Sequence, residues 1–177
     1  MDHMFLRDGA MTAAILGFFA SAWFGWAQER PPAAWKAALI TGSVLSVITA
    51  ISGGILAWQN WHSGSVLAND GAIRAYLIIL GIEFGVAALG AVLLVIRRKP
   101  EYLAPWICLV VGIHFYPMAS VLQYVSLYVL ATVLTVGALL AVPLARRWNL
   151  TISAVTGVGA GSSLLLFAVW SMITLAF

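Results

Sequence analysis

Two side chains in this sequence carry acid–base chemistry where such chemistry is costly to place. Glu83 stands in the run YLIILGIEFGVAALG and His114 in VVGIHFYPMAS, both otherwise apolar. An imidazole titrates near neutral pH, and a carboxyl beside it can share its proton, so that the titration belongs to the pair. A lone ionised carboxylate in mid-membrane costs at least ~2.5–3.5 kcal/mol, so Glu83 must either be paired with a donor or be neutral. Tyr116 and Pro117 follow His114 closely. Proline has no N–H and frees the carbonyl four residues back, here that of Ile113, beside His114. A helix break at Pro117 is therefore expected, with Glu83, His114 and Tyr116 as a proton or substrate site; irregular backbone at that depth makes sense where it lines a polar cavity. Packing glue between helices is the bland alternative for each of these residues.

Other chemistries find little footing. His3, His62 and His114 have no ligand spacing on one helix, so no metal and no cofactor are expected. No phosphate loop, nucleophile motif or metalloprotease signature is present. Ser120 could be combined with His114 and Glu83 into a Ser-His-Glu set, on spacing alone. Cys108 is the single cysteine and excludes an internal disulfide.

The elements that must position these groups follow from composition. Of 177 residues, 63% are hydrophobic and 8% charged, with a mean hydropathy of +1.01. A water-soluble chain of this length could not hide so much apolar surface. In lipid the backbone must satisfy its own hydrogen bonds, by helices or by a closed barrel. The apolar runs are about 20 residues long and do not alternate in polarity, so the reading is all-α, a single bundle of six transmembrane helices with no soluble domain. The spans fall at roughly 9–27, 37–58, 75–96, 103–122, 125–145 and 152–175. The N-terminal apolar stretch lacks the net positive lead-in of a signal peptide and is read as the first span. Short polar links separate the spans: paired prolines Pro31 and Pro32 after the first, Pro100 after the third, and a tight turn at Gln123 and Tyr124 after the fourth; Asn149 or Thr151 caps the sixth.

Lysine and arginine divide seven against two between the alternating connections. Arg30, Lys36, Arg97, Arg98, Lys99, Arg146 and Arg147 fall on one side, Arg7 and Arg74 on the other. The positive-inside rule then predicts both termini on the non-cytoplasmic side. Trp35, Trp58, Trp61, Trp148 and Trp170 lie near expected helix ends, as an aromatic belt does. With these spans Glu83 lies about 4.5 Å and His114 about 3 Å outward of their helix centres, nearly level on antiparallel neighbours.

Small residues form three stripes. Gly42, Ser46, Thr49 and Gly53 share a face of the second helix, a packing surface or a pathway lining. Gly157 and Gly161 do so in the sixth, and Gly81 and Gly85 form G-x-x-x-G in the third, on the face away from Glu83. Each suits close helix packing, and a homodimer through one of them is an expectation of this spacing. "GAVLLVIRR" at Gly90–Arg98 and "GALLAVPLARR" at Gly137–Arg147 suggest an internal repeat of the kind many transporters carry.

The segment GIHFYPMA, Gly112 to Ala119, resembles a G-x-H-F-x-P-x-A segment of some uncharacterised multi-pass bacterial membrane proteins. The resemblance covers eight residues; it implies only that His114 and Pro117 belong together, with no activity to carry over, and the expected location is a cell membrane, the bacterial inner membrane. Three functions compete. The first is a small transporter or channel-like protein with a protonatable site at Glu83 and His114. The second is a membrane-embedded enzyme or lipid-binding protein using the same two groups as acid and base. The third is a structural or accessory subunit. Membrane lipids, a small solute or lipid ligand and a second copy are the expected partners; nucleic acid is not one.

Overall fold

Runs of twenty or more apolar residues without interior polar alternation close their backbone hydrogen bonds as helices. The computed structural model, which describes residues 5–175, contains α1 (Leu6–Ala27), α2 (Lys36–Gln59), α3 (Asp70–Ile96), α4 (Leu103–Leu122), α5 (Ser126–Trp148) and α6 (Ile152–Thr174). All six are long and apolar enough to cross a membrane. Short 3-10 turns at Ala33–Trp35, Val66–Ala68 and Pro100–Tyr102 lead into α2, α3 and α4. His3 lies outside the described residues.

Helix ends explain where the expected spans were short. α3 starts five residues before the expected 75, because Asn69 caps it: its Oδ1 accepts from the N–H of Gly71 at 2.9 Å and of Ala72 at 3.1 Å. The added turn makes Glu83 the central residue of a 27-residue helix. α5 continues to Trp148 and closes on Asn149, which takes the left-handed conformation at φ 51°. Thr151, not Asn149, caps α6, accepting from Ala154 N–H at 3.4 Å. The expected break at Pro117 does not occur. α4 runs unbroken through it, since one missing N–H leaves the flanking helical bonds in place.

The buried core lies among α1, α4, α5 and α6, around Trp23, Cys108, Leu130, Leu134 and Leu164. α2 packs on α1 and α6; α3 packs along α4. The outward surface is hydrocarbon: Ile48, Ile82, Phe84 and Leu166 are each more than half exposed. Such a surface is stable in lipid and a liability in water.

The small-residue stripe of α2 is filled by α1. A Cβ on Gly53 would lie 2.7 Å from Ala14 N and 2.8 Å from Ala10 O, and one on Gly42 would strike the Phe24 ring. Ser46 is buried and donates to Gly42 O at 2.7 Å. Thr49, half-buried, donates to Leu45 O at 2.9 Å. Three of the four positions, Gly42, Ser46 and Gly53, lie against α1. Gly157 and Gly161 of α6 likewise meet α1, at Trp23 O and at Phe24. Gly81 and Gly85 of α3 do the opposite of what their spacing predicts: a Cβ added at either would meet no neighbouring atom within 4 Å. The suggested repeat finds no structural counterpart at its glycines. Gly90 is covered by the Trp106 ring, whereas Gly137 faces open space.

Candidate functional site: the carboxyl–imidazole pair between α3 and α4

α3 and α4 are antiparallel, joined through residues 97–102. Three positions on one face of α3 (Glu83, Ala87 and Gly90, spaced as a helical stripe) look toward α4. Two residues of α4, eight apart and hence about two turns, meet that stripe. Trp106 lays its indole over Gly90, where a Cβ would not fit, and its Nε1 donates to Ala87 O at 3.2 Å. His114 faces Glu83: His114 Nδ1 and Glu83 Oε1 are 3.4 Å apart.

Both side chains are nearly enclosed, with 11% of His114 and 12% of Glu83 exposed. The separation is an ion-pair distance but longer than a hydrogen bond, and Nδ1 is enclosed without a hydrogen-bond partner among the described residues. A small shift in both distance and orientation closes the bond. If Nδ1 carries the proton, the imidazole donates to the carboxylate; if the carboxyl carries it, the imidazole accepts. Either microstate leaves one proton between the two groups. The Phe115 ring lies 4.2 Å from the imidazole, centroid to centroid, and adds an apolar wall. Chemically, a carboxyl and an imidazole at this distance can share one proton.

Tyr116 does not join this pair. Two residues along a helix turn about 200°, so its side chain leaves α4 on the far side from His114. Its hydroxyl meets Thr132 Oγ1 of α5 at 3.0 Å. Ser120 is also elsewhere, 2.5 Å from Tyr128 Oη, which removes the Ser-His-Glu set. Pro117 is exposed on α4 one turn beyond His114 and does not touch the pair through a broken backbone. Trp106 was missed by sequence reasoning, although its two-turn offset from His114 on one helix was there to be read.

Among the described residues, no group of three or more His, Cys, Asp or Glu side chains is placed to hold a metal ion. A separate small cleft of about 90 Å³ lies among α4, α5 and α6, with Cys108, Thr156 and Ser163 in its lining, and does not include the pair. No protein-family model, curated protein or solved structure matches the chain.

Proposed function

We propose that the chain is a multi-pass membrane protein with both termini on the non-cytoplasmic side, and that it is a small transporter whose Glu83–His114 pair binds and releases a proton as cargo passes. The observation that carries this reading is the 3.4 Å contact between a carboxyl and an imidazole at the centre of two long apolar helices. Placing both groups there is expensive, and apolar residues would satisfy packing alone. The seven-to-two division of basic residues supports the orientation. A proton bound at Glu83 alters the charge held between α3 and α4, and so biases any equilibrium in which α3 moves on α4.

The test uses purified protein in liposomes containing a pH-sensitive dye, challenged in turn with amino acids, sugars and organic cations. Wild type is expected to show solute-evoked proton movement, and Glu83→Gln to abolish it. Infrared difference spectra across pH give an independent readout: a carboxyl C=O band that titrates in wild type disappears in Glu83→Gln and shifts its midpoint in His114→Gln. Full proton movement in Glu83→Gln, or no titrating band, defeats the proposal.

One observation favours a second reading, a membrane-embedded enzyme or lipid-binding protein. α3 sits at the edge of the bundle, so the seam holding Glu83 borders the lipid. An acyl-bearing substrate entering sideways would reach the pair without crossing the core, and Glu83→Gln would then abolish turnover of that lipid while leaving proton movement absent in both proteins.

A further inference from the structure

On the opposite face of α4 from His114 lies a cluster of hydroxyls that the proton site does not use. Tyr116 and Ser120 of α4 and Tyr128 and Thr132 of α5 are all exposed, on a surface that elsewhere carries valine, leucine and isoleucine. They belong to the halves of α4 and α5 next to the turn at 123–125. The Tyr116 and Tyr128 rings lie 6.4 Å apart, centroid to centroid.

Their hydrogens can be followed one by one. Thr132 donates to Tyr128 O at 2.8 Å. Its hydrogen is thereby used, so Tyr116 Oη, 3.0 Å away, donates to Thr132 Oγ1. Ser120 Oγ and Tyr128 Oη stand 2.5 Å apart and share one hydrogen between them. The second hydrogen of that pair has no acceptor among the described residues, whichever way the bond runs. Four hydroxyls thus make three bonds and leave one O–H free. Deeper along α4 from the 123–125 turn, Pro117 and Ile113 are exposed and apolar. A free donor facing hydrocarbon costs energy unless the surrounding lipid supplies an acceptor.

We infer that this face of α4 and α5 is a binding site for one glycerolipid of the leaflet bordering the 123–125 turn, held through the ester-linked glycerol region. An ester carbonyl accepts the free Ser120 or Tyr128 hydrogen. From there an acyl chain runs inward along Pro117 and Ile113. The turn itself, Gln123 to Val125, carries no charge, so the site reads the glycerol ester and not an anionic headgroup. The inference goes beyond the proposed proton site and stands apart from it.

The test compares lipids that differ only in the acceptor. Protein stripped of annular lipid in detergent is incubated with diester phosphatidylcholine or with its diether analogue, and bound lipid is counted by native mass spectrometry. Wild type is expected to retain one diester lipid about five- to tenfold more strongly than the diether, the ratio one hydrogen bond supplies. The double substitution Ser120→Ala with Tyr128→Phe is expected to erase that ratio while Glu83→Gln leaves it intact. Equal retention of diester and diether by wild type overturns the inference and needs no variant to fold. So does a preference for phosphatidylglycerol over phosphatidylcholine that exceeds the ester preference, since that would place the lipid on the basic connections instead.

Discussion

α1 and α3 are both apolar helices of more than twenty residues, yet they are held in different ways. α1 is clasped by α2 and α6 through glycines set against backbone: a Cβ on Gly17 would lie 2.9 Å from both Ala50 N and Ser46 O, and one on Gly157 would lie 2.6 Å from Trp23 O. α3 has no buried residue at all, and a Cβ added at either of its own glycines, Gly81 and Gly85, would meet no neighbouring atom within 4 Å. It is fixed to α4 at two levels, by Trp106 over Gly90 and by Glu83 opposite His114. The difference follows from the solvent. Lipid gives no hydrophobic drive to helix association, so close van der Waals contact or directional polar contact must provide it. Where the first is dense, polar groups are few; where it is thin, a costly acid and an imidazole appear.

Substitutions can break this contrast or sharpen it. The largest effect belongs to the clasp. Gly17→Leu drives a side chain into the backbone of α2 and is expected to lower unfolding free energy in mixed detergent by about 3 kcal/mol or more, beyond the usual ~1–3 kcal/mol of overpacking. Next comes the α3 anchor. Trp106→Ala removes the ring over Gly90 and the bond to Ala87 O, with an expected loss of about 2 kcal/mol, less than the ~3–5 kcal/mol of a fully buried aromatic because the ring is half-buried. Hydrogen exchange should rise along α3 and stay unchanged in α1; a rise spread evenly over the bundle would dissolve the distinction. Smaller again is Ser171→Ala, which removes the buried Tyr124–Ser171 hydroxyl contact of 2.9 Å between the α4–α5 turn and α6, at about 0.6 kcal/mol. Smallest are changes on the open face of α3. Gly81→Ala and Gly85→Ala meet free space and should cost nothing or add up to about 1 kcal/mol through helix propensity. A loss above about 1 kcal/mol there, measured by the same unfolding, would mean that α3 has a partner in the membrane.

The number of helices was legible because hydrocarbon thickness sets a minimum apolar length that loops interrupt visibly. The level placement of Glu83 and His114 was legible too, since a short link forces antiparallel neighbours and rise per residue does the rest. What could not be read was which apolar face meets protein and which meets lipid. In a soluble protein polarity separates them; here Leu77, Ile82 and Leu89 on open α3 are the same kinds of residue as Leu16 and Leu164 in the core. Glycine spacing failed for the same reason, naming three stripes of which two are occupied. The grouping of Tyr116 with His114 was a different error, adjacency in sequence taken for adjacency in space, which helical geometry alone would have corrected.

That α3 rests on α4 also sets an order of events during synthesis. Chains enter the membrane from the N-terminus, and α4 is made after α3. For the interval before α4 follows, no helix already inserted by then can offer Glu83 the imidazole it later faces. Any carboxylate that enters the bilayer ahead of its partner must do so as the uncharged acid or stay at the insertion machinery until the partner arrives. Glu83 thus ties the pairing of two helices to the timing of their delivery, a constraint that α1 does not face while it waits for α6, since the two meet through Gly157 and Gly161 against Trp23 and Phe24.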